Sequence, residues 1–188
     1  MAAGGIALVL LGAGRASRFG GGKLASRLGG MTVAARAALA YEDGAFTSRI
    51  LVCAPETPVL RGYRRIVLDP PGAPLSRSIA LGVAEAEAAG CDAVMLALAD
   101  MPLVPPAHVA ALLARFDGDR IATHGPQPMP PALFGWRHFG ALKALEGDRG
   151  AGRLLSGAPG VALDADLALD IDSGDDIARA EAYLRGAA

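Results

Sequence analysis

The chain has 188 residues, 52% of them hydrophobic and 20% charged, with a formal net charge of −1. That length fits one domain with a sizeable core, and the apolar share argues against disorder. A nearly neutral chain has no bulk attraction to nucleic acid or to an anionic membrane, and 5% aromatic residues leave little for a base-stacking platform.

The first apolar run, residues 6–11 (Ile-Ala-Leu-Val-Leu-Leu), reads as a buried parallel strand. It is short, has no basic segment ahead of it and leads into a glycine-rich loop, so it is read as a strand and not a signal peptide. No apolar segment is long enough to span a membrane. Cys53 and Cys91 lie far apart in or beside apolar strands, which fits two buried thiols in a reducing, cytoplasmic setting. Residues 31–40 are alanine-rich and predict a helix stopped by Asp43-Gly44. Residues 49–54 predict a second buried strand ended by Pro55, and residues 65–68 a third, followed by the turn Asp69-Pro70-Pro71-Gly72. Ser76 is expected to cap a helix running to about residue 89, with Gly90 behind it.

Residues 93–99, flanked by Asp92 and Asp100, predict the central strand, and Pro105-Pro106 opens a helix to residue 116. Strands at 120–123 and 131–134 are expected around a Pro- and Gly-rich loop at 125–130. A helix over 136–146, two short strands within 161–171 and a last amphipathic helix from Ser173 through Leu184 complete the chain. This alternation predicts an α/β fold, a three-layer α/β/α sandwich around a Rossmann-like, mainly parallel sheet with right-handed crossovers. No repeat, linker or charge block divides it, so residues 1–188 are expected to form a single domain.

The loop after the first strand, residues 12–23, holds five glycines among twelve residues, with Arg15, Arg18 and Lys23. Glycines let successive amides turn toward an anion, and the cations favour a phosphate there. Three patterns compete for it. A dinucleotide fingerprint would use Gly12 and Gly14 with Glu56 after the second strand, but its third glycine is Ser17. A Walker A loop fails because Ser17 stands at its first glycine and Leu24 at its last position. The third pattern is L-A-A-G-x-S-x-R-F-G-x-x-K-L, which Leu11-Gly12-Ala13-Gly14-Arg15-Ala16-Ser17-Arg18-Phe19-Gly20-Gly21-Gly22-Lys23-Leu24 follows closely, with Gly12 in place of an alanine.

On these residues the chain resembles the MobA-like nucleotidyltransferases. The likeness continues in order through Ser76-x-Ser78-Ile79-x-x-Gly82, Leu98-Ala99-Asp100-Met101-Pro102, Gly147-Asp148-Arg149-Gly150-Ala151 and Leu169-Asp170-Ile171-Asp172-Ser173. Gly21-Gly22-Lys23, without the aspartate of the guanylyltransferases, is most similar to molybdenum cofactor cytidylyltransferases. Gln127-Pro128-Met129-Pro130-Pro131-Ala132 departs from the family, on the side expected to meet the acceptor.

The resemblance implies the nucleotide-diphospho-sugar transferase type of fold. It also implies transfer of an NMP, CMP before GMP, from an NTP to a phosphate-bearing acceptor, molybdopterin or the molybdenum cofactor, with release of pyrophosphate. Leu11, Gly12, Ala13 and Gly14 would supply loop contacts, Arg18 and Lys23 would hold the triphosphate, and Asp69, Ser76 and Ser78 would face the ribose or base. Lys23, Arg18 and Asp100 would be the catalytic groups. Mg2+ would be held by Asp100 with Asp170 or Asp172, a cation that needs only one or two carboxylates beside substrate phosphates. Asp172 reads equally well as a helix cap. Lys23 and Asp100 are expected to stand clear of the core. A molybdoenzyme or its chaperone would be the protein partner, with neither nucleic acid nor membrane involved. Alternatives are a guanylyltransferase, another acceptor, or a nicotinamide-dependent oxidoreductase. His108, His124 and His138 show no metal-ligand spacing.

Overall fold

The computed structural model describes residues 4–13, 22–125, 127–148 and 150–186. In chain order the strands and helices are β1 (Ile6–Gly12), β2 (Arg27–Leu28), β3 (Met31–Thr32), α1 (Val33–Leu39), β4 (Phe46–Cys53), β5 (Arg64–Val67) and α2 (Leu75–Ala88). They continue with β6 (Ala93–Leu98), α3 (Pro106–Arg115), β7 (Arg120–His124), β8 (Pro128–Gly135), α4 (Phe139–Lys143), β9 (Gly160–Ala162) and α5 (Gly174–Gly186). Seven strands form one sheet in the order β5-β4-β1-β6-β8-β7-β9, and β2-β3 form a separate small hairpin. Within the large sheet only β8 runs against its neighbours, being antiparallel to both β6 and β7.

Side chains alternate across a strand, and a sheet covered on both faces buries both sets. In β1, Leu8 and Leu10 point to one side, with Met95 and Leu133 from the sheet and Val33, Ala34, Val109, Leu112 and Ala180 from α1, α3 and α5. Ala7, Val9 and Leu11 point to the other, with Val94, Leu96 and Phe134, against Ile79, Val83 and Ala86 of α2 and Phe139 and Leu142 of α4. These are the three layers that the strand–helix alternation predicts. Gly82 lets α2 lie close on β1, because a Cβ there would meet Val9 Cγ1 at 2.3 Å. That contact fixes where the start of α2 meets the sheet rim.

Several boundaries differ from the sequence reading. Met31 and Thr32 are strand residues; α1 starts at Val33, and Thr32 caps it by accepting the Ala35 N–H at 3.2 Å. Ser76 is not a cap. It is buried in the first turn of α2, after Pro74. The free amides there are met from a distant turn: Leu75 N–H donates to Asp148 Oδ1 at 3.4 Å and Ser76 N–H to the Gly147 carbonyl at 3.2 Å. The helix expected over 136–146 is a 3-10 turn, Trp136–His138, followed by the short α4. Trp136 N–H is tied to the Asp92 carbonyl and the His138 ring to Asp119, which holds this turn to the strand ends. Only β9 forms within 161–171, where two strands are expected.

Candidate active site

The C-terminal ends of β1 and β6 lie side by side, and Ala99 N–H donates to the Leu11 carbonyl at 3.0 Å. Crevices beyond the carboxyl ends of parallel strands are where such sheets bind ligands. A cavity of about 350 Å3 opens there, lined by Leu11, Gly12, Ala13, Lys23, Ser78 and Asp100 among the residues expected from sequence. That size suits a small molecule.

Lys23 is the centre of the arrangement. It opens a 3-10 turn after Gly22, whose φ of 70° is a left-handed conformation that glycine adopts without strain. Contrary to the expectation that it stands clear of the core, Lys23 is buried, with a side chain only 9% exposed. Its Nζ donates to Asp100 Oδ2 at 2.6 Å and to Asp172 Oδ1 at 3.1 Å. Burial alone would lower the lysine pKa, but the charge and hydrogen bond of Asp100, then those of Asp172, hold it above its ordinary value. The ammonium is therefore charged and pinned between two carboxylates.

Asp172 reaches Lys23 because Ile171 N–H donates to the Asp100 carbonyl at 2.9 Å, stitching residues 170–172 to the end of β6. Asp172 does not cap α5. Ser173 does, accepting the Asp176 N–H at 3.3 Å, while Asp176 Oδ2 accepts from Ser173 Oγ at 2.7 Å and from the Asp172 N–H at 3.1 Å. This is a capping box, and it leaves the Asp172 side chain free for Lys23. Asp170 completes the acidic group. Although solvent reaches its side chain, the protein packed around the carboxyl, then the charges of Asp100 and Asp172, raise it to about 6 against the opposing pull of Lys23.

Asp100 Oδ1 is buried without a hydrogen-bond partner. Such an oxygen fits a hard cation or a ligand donor, since a buried acceptor left unpaired is costly. Among the described residues, no group of three or more His, Cys, Asp or Glu side chains is gathered to hold a metal by itself. The set fits Mg2+ only in the mode that takes one or two carboxylates and completes the shell with phosphate oxygens and water.

Other expected residues fall elsewhere. Asp69 is exposed and Ser76 buried, and neither lines the cavity. Gly14 and Arg18 lie outside the described residues. A Cβ at Gly12 would meet Leu24 Cδ1 at 3.1 Å and Ala99 Cβ at 3.3 Å, so an alanine there would press on those two residues. Thr57 and Asp148 line the cavity with no role expected of them there, and Glu56, expected only as the acidic residue of a dinucleotide fingerprint, lines it too. Thr57 is buried, and its hydroxyl donates to the Gly12 carbonyl at 3.4 Å. For Glu56 and Thr57 the signal is positional, since residues just past β4 must share the rim with those past β1. Of the histidines, His108 is a packing residue. Thr123 Oγ1 donates to the Pro131 carbonyl at 2.8 Å, so the His108 Nε2 2.8 Å away is the donor of that pair, and burial lowers its pKa.

A pinned lysine and an aspartate with a spare oxygen at the rim of a parallel sheet make this an α/β protein with a site suited to an anionic ligand. Residues 8–164 match the model of the MobA-like NTP transferase domain. The chain belongs to that family of nucleotidyltransferases. It is 36% identical over 110 residues to the purine catabolism protein PucB of Bacillus subtilis, a stretch covering 56% of this chain and 52% of that protein. The chain thus matches about half the length of that relative. Rv0371c of Mycobacterium tuberculosis superposes with a TM-score of 0.83 at 24% identity, over 97% of this chain and 100% of that one. A manganese complex of Rv0371c gives 0.78 at 23% identity, covering 96% and 99% of the two chains. The nucleotidyl transferase Mth528 from Methanothermobacter gives 0.82 at 22% identity, over 98% and 99%. The three superpositions bear out the fold. Family membership sets the oxidoreductase alternative aside.

Proposed function

We propose that the chain transfers a nucleoside monophosphate, CMP in preference to GMP, from an NTP with Mg2+ to a phosphate-bearing acceptor of the molybdopterin type, releasing pyrophosphate. The observation that carries this reading is the Lys23 ammonium held between Asp100 and Asp172 at the mouth of the strand-end cavity. The acceptor phosphate is ionised at neutral pH, so no strong base is needed, and rate acceleration comes from positioning and charge. Lys23 moves from the carboxylates to the phosphate oxygens as a flexible point charge, and its pull strengthens as charge gathers on the leaving pyrophosphate. Asp100, with Asp172 or Asp170, holds the divalent cation, which when bound offsets phosphate charge; the manganese complex of Rv0371c supports a divalent cation here. Loop amides from Gly12 to Gly14, with Arg18, cradle the triphosphate. Ser78, which lines the cavity together with Glu56 and Thr57, faces the nucleoside. The preference for cytosine rests on the Gly21-Gly22-Lys23 form of the loop.

A pyrophosphate-release assay across CTP, GTP, ATP and UTP, with molybdopterin as acceptor, tests the reading. Ligands that bind only the native state raise its melting temperature by mass action. NTP with Mg2+ is expected to give a larger shift than NADH; an equal or larger shift with NADH would overturn the proposal. Tighter GTP than CTP binding would reverse the base preference alone.

A further inference from the structure

The cleft continues past Asp100. A second cavity, about 150 Å3, adjoins it on the α2 and α4 face of the sheet, and the two share Leu11, Leu75 and Leu98. Its far wall is built from Ile79, Ala132, Phe134 and Leu155, and among the described residues lining it none has a polar side chain. The two cavities differ in chemistry along the strand order. Glu56 and Thr57 follow β4, on one side of β1, while Ala132 and Phe134 sit on β8, beyond β6 on the other. Gly12 and Asp100, at the ends of β1 and β6, lie between them.

A nucleotide's base carries hydrogen-bonding groups along most of its rim and loses those it buries in a wall that offers none. The base therefore belongs at the β4 end, beside Glu56 and Thr57. The incoming oxygen and the leaving pyrophosphate lie roughly in line at the reacting phosphorus, so the acceptor needs its own approach. With the β4 end taken by the base, that approach is the β8 end, which is apolar.

We infer that the second cavity receives a compact apolar group carried next to the acceptor's phosphate, whatever polar remainder that acceptor holds outside the cavity. This rests on the nucleotidyl-transfer reading. An oxygen of the acceptor phosphate dianion forms a bond to the α-phosphorus, and the bond from that phosphorus to the bridging oxygen of the β-phosphate breaks. Pyrophosphate leaves with the electron pair; nothing is oxidised or reduced, and no proton has to be removed from the acceptor. The size of the group follows from the volume, about 150 Å3, since closed apolar cavities of that size accept benzene. A pterin ring, with hydrogen-bonding groups along its edges, would lose them in such a wall and would have to lie outside it.

The experiment compares benzyl phosphate with methyl phosphate and glycerol 3-phosphate as acceptors, using the full chain, Mg2+ and whichever NTP gives the largest thermal shift. Burial of a benzene-sized group predicts kcat/KM roughly ten- to a hundredfold higher for benzyl phosphate. Toluene binding, followed by ligand-observed NMR, reads the cavity without turnover. Ala132→Leu and the milder Ala151→Leu, at the half-buried mouth, should each abolish toluene binding and bring the benzyl-to-methyl ratio close to one while NTP binding persists. If Ala132→Leu does not fold, Ala151→Leu reads the same quantity. Equal kcat/KM for the three acceptors, or toluene binding that survives both substitutions, overturns the inference. Absence of any NTP binding overturns the transfer reading instead, and toluene binding still decides the cavity.

Discussion

Replacing Lys23 with methionine keeps most of the buried stem and removes only the charge. The stem packs as before. What changes is that Asp100 and Asp172 lose the ammonium at 2.6 and 3.1 Å, and Asp170 already lies close by. Breaking a buried pair costs about 3–5 kcal/mol and a surface pair about 0–1 kcal/mol. Asp100 is 21% exposed and belongs between those limits, whereas Asp172, at 59%, is largely screened by solvent. A loss of about 2 kcal/mol follows, which for a chain of this length lowers the melting temperature by roughly 4–8 °C. Mg2+ should return part of it, because the cation and the ammonium compete for the same oxygens and binding to the native state alone is stabilising. Turnover should fall about a hundredfold to a thousandfold, as for other lost electrostatic contacts at a reacting centre. Differential scanning fluorimetry with and without Mg2+, beside the pyrophosphate assay, measures all three. A Lys23→Met variant that melts with the parent, ignores Mg2+ and turns over normally would refute the reasoning.

Asp100→Asn keeps the size of the side chain and removes its charge, so turnover should fall by a similar factor and NTP affinity, by titration calorimetry, should stop depending on Mg2+. Ser173→Ala removes the α5 cap and should lower stability by about 1 kcal/mol in a urea melt, with the Asp172 contact to Lys23 left in place. His108 is held neutral by burial, so the unfolded chain binds a proton that the folded one refuses. Stability from this group is intact above the ordinary histidine pKa and is lost as pH falls from there toward the depressed folded value. His108→Gln should flatten that acid limb in urea melts run at successive pH values.

The parts of the fold legible from sequence are those whose causes are local. β1, β4 and β6 read as near-continuous apolar runs because both faces of a parallel sheet are covered, and Pro105-Pro106 marks the start of α3 because proline suits the first helical position. The errors arise where the partner is remote. Ser76 has the chemistry of a cap, yet the start of α2 is satisfied by Gly147 and Asp148 from far along the chain. The same holds at the site. Lys23 and Asp100 were singled out by motif, but the burial of Lys23 depends on contacts 77 and 149 residues away, which no spacing rule contains. The choice between cap and ligand for Asp172 was even at the level of sequence, and the neighbouring Ser173 decides it by taking the cap. Thr57 is readable only from the rule that strands β1 and β4, paired in register, end at one rim, a rule that also places Glu56 there, which the dinucleotide pattern names for another role.

The reversed strand has a consequence for how this architecture changes over time. Because β8 alone runs against the rest, it meets the cleft with its first residues: Pro128 and Met129 pair with His124 and Thr123 of β7 on one side only, and Pro130 lines the second cavity before β8 also takes up β6. Its downstream pairing, Ala132 with Leu96 and Leu133 with Met95, locks the remainder to the central strand whatever precedes it. Insertions and substitutions upstream of that lock can reshape one end of the cleft while the glycine loop, Lys23 and Asp100 at the other stay fixed. A change of acceptor can therefore come from rewriting a few residues there, and the run Gln127-Pro128-Met129-Pro130 falls in that stretch.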